Sequence, residues 1–140
     1  MSDADVVSIF KSTLNQSENP IWFEQRKGRL TASNFKRILT RYNSLERDPS
    51  QSCESLIRDL TLMKPKVTTY AVKHGLALEP HAKLKLQELF SHHKNMQFVE
   101  TGLYVMKDHP YIGASADGIL KCDCCGTFLV EIKCPLFSKR

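Results

Sequence analysis

The hydrophobic pattern of the chain changes once, near His93, and this change limits the fold more than any other feature of the sequence. Before it, apolar residues recur at the 3.6-residue spacing of helices; after it, Val, Ile, Phe and Tyr cluster in short runs typical of strands. Helices followed by a strand meander predict an α+β or mixed α/β fold with one β-sheet. The predicted helices are a short one within residues 1–20, then Ile21–Arg26, Thr31–Leu39, Cys53–Met63 and Thr69–His92, and the predicted strands are Met96–Met106, Tyr111–Ala114 and Thr127–Ile132.

Polar residues and prolines mark the ends of these elements. Thr31 or Ser33 can cap the helix that follows it, because a hydroxyl can satisfy a free backbone N–H in the first turn. The polar run 43–52 predicts a loop, and Pro65 should end the helix before it. Pro80 should kink the long helix or mark a first turn.

Size and composition predict one domain with its own core. The chain has 140 residues, of which 41% are hydrophobic. No apolar run approaches the roughly 18 residues of a membrane helix, and the first residues lack the basic region of a signal peptide. We therefore expect an intracellular protein of the cytosol or nucleus, neither secreted nor bound in a membrane.

Positive charge is concentrated between Ile21 and Arg47. Seven basic and two acidic residues there give this stretch a charge of +5, which equals the formal net charge of the whole chain. The basic residues are Arg26, Lys27, Arg29, Lys36, Arg37, Arg41 and Arg47. Such a patch indicates a phosphate-backbone partner; a solvated helix face is the alternative.

The five cysteines do not suggest a disulfide framework, because their number is odd and no secretory context is present. Three of them lie in the predicted hairpin turn 122–126. Cys122, Cys124, Cys125 and Cys134 are candidate zinc ligands, although their spacing is irregular for a zinc knuckle. Reduced thiols at a hairpin tip are the alternative.

Asp117 and the Glu131-x-Lys133 pair form the acidic constellation of the chain. Glu131 and Lys133 are two residues apart in a predicted strand and therefore project from one face. With Asp117 from a neighbouring strand, these carboxylates suit a hard divalent cation, and a lysine beside it can orient a nucleophile or stabilise developing charge. The alternative is a solvated strand face beside an Asp-Gly turn.

Four blocks, in order along the chain, carry a family resemblance. They are Trp22–Ser33 (WFEQRKGRLTAS), Gly75–Glu79 (GLALE), Gly113–Gly118 (GASADG) and Leu129–Pro135 (LVEIKCP). Together they resemble the YqaJ-type viral recombinase family, which includes phage lambda exonuclease, within the PD-(D/E)XK nuclease superfamily. The resemblance implies a restriction-endonuclease-like core of N-terminal helices followed by a mixed β-sheet. It also implies that residues 1–20 are an N-terminal helix or leader and that 21–140 form the nuclease domain.

The same resemblance implies a 5′-to-3′ exonuclease that acts on double-stranded DNA ends in recombination and repair. Its cofactor would be Mg²⁺, with Mn²⁺ as a substitute. Asp117, Glu131 and Glu79 would be metal carboxylates, the Ile132 carbonyl a further ligand, and Lys133 the catalytic lysine that holds or activates water. The residues expected to contact DNA are Arg26 and Ser33, which match the positions that bind the 5′ phosphate, together with Lys27 and Arg29. A ring-shaped homo-oligomer and a single-strand annealing partner protein also fit the family.

The chain departs from the family pattern in three places. Ala116 replaces the proline of the usual Ser-Pro-Asp-Gly, and a cysteine-rich insert replaces a short turn. The sequence stops seven residues past Lys133, where family members continue with a helix and a strand, so we expect a C-terminally truncated domain. Two other functions therefore stay open: an inactive DNA-binding relative, and a small zinc-binding module.

Overall fold

The computed structural model of the chain describes residues 1–62 and 69–136, so the expected helix end at Met63 and break at Pro65 lie outside it. Within the described residues, five α-helices precede five short strands. The helices are α1 (Asp3–Ser12), α2 (Pro20–Arg26), α3 (Ala32–Arg47), α4 (Glu54–Leu62) and α5 (Tyr70–Phe90). The strands are β1 (Gln97–Val99), β2 (Tyr104–Val105), β3 (Gly113–Ala114), β4 (Gly118–Cys122) and β5 (Gly126–Val130). The predicted α+β class is confirmed, and none of the described helices is long and apolar enough to cross a membrane.

Most helices begin where polar residues can satisfy their first free N–H groups. Asn19 accepts from the Ile21 amide at the start of α2, and Thr69 accepts from the Val72 amide at the start of α5. Of the two candidate caps of α3, Thr31 is the N-cap, and its own amide donates to the Asn34 side chain at 2.8 Å. Ser33 therefore lies inside the first turn of α3.

Two predicted helix boundaries need correction. The predicted loop 43–52 begins later, because α3 continues to Arg47. Residues 43–47 are polar except for Leu45, but a surface helix can place polar side chains toward solvent, so polarity alone does not end it. Pro80 lies inside α5, ten residues after Tyr70, and not in a first turn.

The chain divides into two compact units, of which the first is Met1–Lys64 with Thr101–Ser115. Its core is built from Trp22 of α2 with Leu103 and Val105, and Ile9 of α1 packs against them. The two-residue strands β2 and β3 pair antiparallel, with Val105 opposite Gly113. This unit contains α2 and α3 and therefore the whole basic stretch.

The second unit is Pro65–Glu100 with Ala116–Arg140. Its three strands form an antiparallel sheet in the order β1-β4-β5. Leu120 and Cys122 on β4 are buried, and Gly118 pairs with Val130 at one end of the hairpin while Cys122 pairs with Gly126 at the other. The turn is completed by Gly126, whose φ of +89° favours glycine.

The single predicted sheet is two sheets, and the predicted strand Met96–Met106 is divided between them as β1 and β2. The interruption falls at Thr101 and Gly102, which are both buried. Gly102 lies so close to Phe10 that a Cβ on it would come within 2.9 Å of the Phe10 carbonyl carbon. This close approach to α1 interrupts the chain between β1, which belongs to the three-stranded sheet, and β2, which belongs to the two-stranded sheet.

Candidate functional site

Asp117 and Glu131 lie side by side at the open end of the β4–β5 hairpin. The Asp117 amide donates to the Val130 carbonyl at 3.0 Å, and the Ile132 amide donates to Asp117 Oδ2 at 2.5 Å. The second bond corrects one prediction: β5 ends at Val130, so Glu131 follows the strand and is not part of it. The Ile132 amide donates to the Asp117 side chain, whereas in a longer strand it would continue the backbone hydrogen bonds of the sheet.

Lys133 completes this end of the hairpin. Its ammonium is hydrogen-bonded to the Glu131 carboxylate, although both side chains are largely exposed, at 77% and 59%. The hydrogen bond with Glu131 raises the pKa of Lys133, and the negative charges of Glu131, Asp117 and Glu79 act in the same direction. Lys133 is therefore a cation at neutral pH.

The pKa of Asp117 is raised, and its causes show which groups surround it. Burial is the largest cause, and the charges of Glu131 and Glu79 add to it. The Ile132 hydrogen bond and the Lys133 charge act against the shift. Glu79 of α5 thus lies within electrostatic range of the hairpin end, so three carboxylates and one lysine share this region.

Glu79 forms an ion pair with Lys83, a residue of α5 that the sequence prediction did not include. Lys83 Nζ lies 3.0 Å from a carboxylate oxygen of Glu79 and 3.3 Å from one of Glu100. The Lys83 side chain is only 19% exposed. Its four-residue spacing from Glu79, which places both side chains on one helix face, is the sequence signal that could have identified it.

The donor set of this region fits a hard divalent cation in its chemistry. Carboxylate oxygens are the ligands that Mg²⁺ uses, and mutual repulsion among Asp117, Glu131 and Glu79 is what a cation would relieve. In the described part of the chain, however, these oxygens do not converge into a tight ligand group. Glu131 faces Lys133 and Glu79 faces Lys83, so these two carboxylates would exchange a lysine partner for the metal. The role of the Ile132 carbonyl as a metal ligand stays a prediction.

Arg26 and Ser33, predicted to act together, are in direct contact in the first unit. Arg26 Nη2 donates to Ser33 Oγ at 2.8 Å. The guanidinium lies 3.9 Å above the centre of the Trp22 ring, and burial lowers the pKa of Arg26. Trp22 is held in turn by a 2.9 Å hydrogen bond from its Nε1 to Ser115 Oγ. The ring therefore fixes the arginine beside the first turn of α3.

Lys27 and Arg29, also predicted to contact DNA, have other partners. Lys27 forms an ion pair with Glu24 at 2.6 Å. Arg29 donates to the Gln25 carbonyl at 2.6 Å and to the Pro110 carbonyl. The structure therefore gives Arg29 a role in joining α2 to the turn before β3.

A groove with a volume of about 500 Å³ runs along α3 from Ser33 and continues the basic stretch. Its lining residues on α3 are Ser33, Lys36, Arg37, Thr40, Arg41 and Ser44. These α3 side chains are basic or hydroxylated, and both kinds donate hydrogen bonds to phosphate oxygens. The opposite side of the groove is formed by Ser55 and the apolar Leu56. Arg37 also pairs with Asp59.

Three of the four candidate zinc cysteines lie together, at the closed end of the β4–β5 hairpin. Cys122, Cys124 and Cys125 share this position with His93, which follows α5. Cys134 is not part of the group: it comes after β5, beyond the open end of the hairpin. Five residue pairs separate the two ends, a length of about 13 Å at the rise of a strand. The sequence prediction did not include His93.

Comparison with known proteins yields one match. A family model described as the YqaJ-like viral recombinase domain matches residues 21–139. No curated protein and no solved structure gives a significant match. The matched range includes the region of Asp117, Glu131 and Lys133 as well as the Arg26–Ser33 pair.

Proposed function

The chain belongs to the YqaJ-like viral recombinase domain family, and from this membership we propose that it is a magnesium-dependent deoxyribonuclease. The family indicates a nuclease role in DNA recombination in general. The finer assignment is a 5′-to-3′ exonuclease acting on double-stranded DNA ends. The observation that carries the nuclease proposal is the placement of Asp117, Glu131 and Lys133 together at the open end of the hairpin, where the Asp117 amide donates to the Val130 carbonyl and Lys133 donates to Glu131. The 5′-to-3′ direction and the preference for DNA ends rest on the family resemblance.

We assign Asp117, Glu131 and Glu79 as the residues that would hold the metal, with the Ile132 carbonyl as a further ligand. When bound, Mg²⁺ polarises a phosphoryl oxygen and lowers the pKa of a coordinated water. Lys133 donates a hydrogen bond to the attacking water and places positive charge near the phosphoryl oxygens as negative charge develops on them. Lys83 pairs with Glu79 at 3.0 Å, and Glu79 would exchange this partner for the metal.

The Arg26–Ser33 pair is proposed to bind the terminal 5′ phosphate. A guanidinium and a hydroxyl 2.8 Å apart can both donate to one phosphate. Ser33 also lies in the first turn of a 16-residue helix, where backbone N–H groups attract an anion. The basic groove along α3 would hold the adjoining phosphates.

The test is digestion of linear duplex DNA that carries a 5′ phosphate on one end only. We expect strand loss from the phosphorylated end with Mg²⁺ and none with a chelator. Lys133→Ala should slow cleavage by about 10²–10³-fold, the usual loss when one electrostatic donor is removed. Lys85→Ala is the matched control, because Lys85 is also largely exposed and also paired with a glutamate, Glu88 at 2.9 Å.

A Lys133→Ala variant that cuts at the normal rate would contradict the assigned role of this lysine. The end-binding step is tested separately with Arg26→Ala, which should reduce cleavage from the phosphorylated end at least about tenfold because a charged hydrogen bond is lost. Equal rates for wild type and Arg26→Ala on both ends would remove the pair from the proposal.

The basic groove favours one second candidate, an inactive relative that only binds DNA. In that case the duplex would bind with strong salt dependence and remain uncut with any divalent metal. Reversing charge with Lys36→Glu and Arg41→Glu should then weaken binding and flatten the salt dependence. Mg²⁺-dependent cleavage by the wild type would exclude this candidate.

A further inference from the structure

Three thiols and one imidazole converge at the closed end of the β4–β5 hairpin. His93 Nδ1 lies 3.1 Å from Cys124 Sγ, 3.4 Å from Cys125 Sγ and 3.6 Å from Cys122 Sγ. Cys124 Sγ lies 3.6 Å from Cys122 Sγ and 3.7 Å from Cys125 Sγ. All four ligand atoms lie within 4.8 Å of one another.

Five of the six distances match the edges of a tetrahedron around a single ion, and the sixth, between Cys122 Sγ and Cys125 Sγ, is no longer than 4.8 Å. Zinc–sulfur bonds of about 2.3 Å and zinc–nitrogen bonds of about 2.0–2.1 Å give edges of about 3.8 Å between sulfurs and about 3.5 Å between sulfur and nitrogen. The two measured sulfur–sulfur distances are within about 0.2 Å of that value, and the three distances to nitrogen within about 0.4 Å. An iron–sulfur cluster would need its ligands spread over several irons.

We propose that His93, Cys122, Cys124 and Cys125 bind one zinc ion. Three thiolates and an imidazole are a common structural zinc set, and four protein ligands leave no open position for substrate. All five cysteines of the chain are free thiols, so none of the three is committed to a disulfide. The site is separate from the carboxylates at the other end of the hairpin.

The backbone around the cluster is organised to hold the ligands. The Asp123 amide donates to the Lys94 carbonyl at 2.9 Å, and Asn95 Nδ2 donates to Asp123 Oδ2 at 2.7 Å. Asn95 has a φ of +52°, a conformation that asparagine tolerates better than most residues. These bonds fasten the loop after α5 to the hairpin turn, and they place His93 beside the cysteines.

The zinc ion would fasten the C-terminal end of α5 to the β4–β5 hairpin. Glu79 lies on α5, and Asp117 and Glu131 flank the hairpin, so the ion would join the elements that carry these carboxylates. This consequence for the carboxylates rests on the proposed nuclease function, whereas zinc binding does not. A protein that binds zinc and cuts no DNA would leave the metal site standing.

The test is the metal content of the full chain, purified with a reducing agent and without chelators. We expect about one zinc per chain by elemental analysis, falling close to zero in Cys124→Ser and in His93→Ala. Cys134→Ser and Cys53→Ser are the matched controls, since both cysteines lie outside the cluster, and both variants should keep the ion. Reconstitution of the wild type with Co²⁺ should produce the absorption of a tetrahedral thiolate site, and loss of these bands in His93→Ala would identify the imidazole ligand.

Wild-type protein without zinc and without Co²⁺ absorption would overturn the proposal, and this result does not depend on any variant folding. Retention of zinc in Cys124→Ser, or equal loss in Cys134→Ser, would also overturn it. Circular dichroism of each variant separates loss of a ligand from loss of structure. Iron-type absorption in the purified protein would assign a different metal and refute zinc.

Discussion

Gly118 directly follows Asp117, and we expect Gly118→Ala to destabilise the second unit. An added Cβ would lie 2.6 Å from Cε2 and 3.0 Å from Cε1 of the Phe98 ring, and closer still to Cζ. Ordinary carbon–carbon contacts are about 3.5–4.0 Å, so the ring would have to withdraw by more than about 1 Å. Phe98 on β1 lies opposite the buried Leu120 of β4 in the strand register and is itself half-buried.

The expected magnitude follows from two opposing effects. Overpacking of this kind costs about 1–3 kcal/mol, whereas replacing glycine by alanine lowers the entropy of the unfolded chain and returns about 0.4–1 kcal/mol. We therefore expect a net loss of about 1–2 kcal/mol in the free energy of unfolding. Gly75→Ala is the matched control, because its Cβ would meet only the Cys134 carbonyl oxygen at 3.8 Å. Alanine inside α5 should stabilise the protein by about 0.5–1 kcal/mol.

The assay is urea unfolding of the wild type, both alanine variants, Phe98→Leu and the double variant of Phe98 and Gly118. The smaller leucine side chain removes the ring atoms that the new Cβ would meet. Gly118→Ala should therefore cost less in the Phe98→Leu background, with a coupling energy of about 1 kcal/mol. Equal stability changes for the two glycine variants, or strict additivity in the cycle, would refute the argument.

Three further perturbations test other parts of the structure. Burial raises the pKa of Asp117 above its ordinary 3.8. The contribution of Asp117 to the free energy of unfolding is therefore full below pH 3.8 and is lost as the pH rises through the raised pKa. In the presence of a chelator, Asp117→Asn should therefore unfold at a higher urea concentration than wild type at pH 7. The difference between the two urea midpoints should narrow toward pH 3.5, and a difference that stays constant with pH would contradict this prediction. Thr13 is fully buried, and its hydroxyl accepts a hydrogen bond from the Leu103 amide at 2.7 Å. Thr13→Val should therefore lower the free energy of unfolding by about 1–3 kcal/mol, whereas Thr13→Ser should keep most of the wild-type free energy of unfolding. Gly102→Ala would place a Cβ 2.9 Å from the Phe10 carbonyl carbon and should reduce the yield of folded protein, measured by circular dichroism, more than Gly118→Ala does, because backbone cannot swing aside.

The sequence predicted helices better than strands, for a physical reason. The spacing of apolar residues repeats over several turns in α4 and α5, and their bounds fall within two residues of the prediction at every described end. β2 and β3 have two residues each, too few for an alternating pattern to show. The division of Met96–Met106 between two sheets depends on the contact of Gly102 with Phe10, which lies far away in sequence.

The strand pattern grouped Asp117 with Glu131 and Lys133, whereas Glu79 came only from the resemblance, because no local pattern connects it to them. Asp117 and Glu131 become neighbours through the β4–β5 register, and Glu79 comes from a helix that precedes both. Lys83 was missed although it is four residues from Glu79, because the resemblance included no lysine there. The partners of Lys27 and Arg29 could not be predicted, since positive charge in a sequence does not show which carbonyl or carboxylate it meets.

His93 was missed for a different reason, and the structure shows which signal could have found it. Spacing rules search for metal ligands within one segment, and His93 is 29 residues before Cys122. The link is the antiparallel register of β1 and β4, in which Gln97 faces Lys121. Continued past the strand ends, that register places Asn95 opposite Asp123, which are hydrogen-bonded, and His93 opposite Cys125. A predicted pairing of these two strands would thus have brought the histidine to the cysteines from sequence alone.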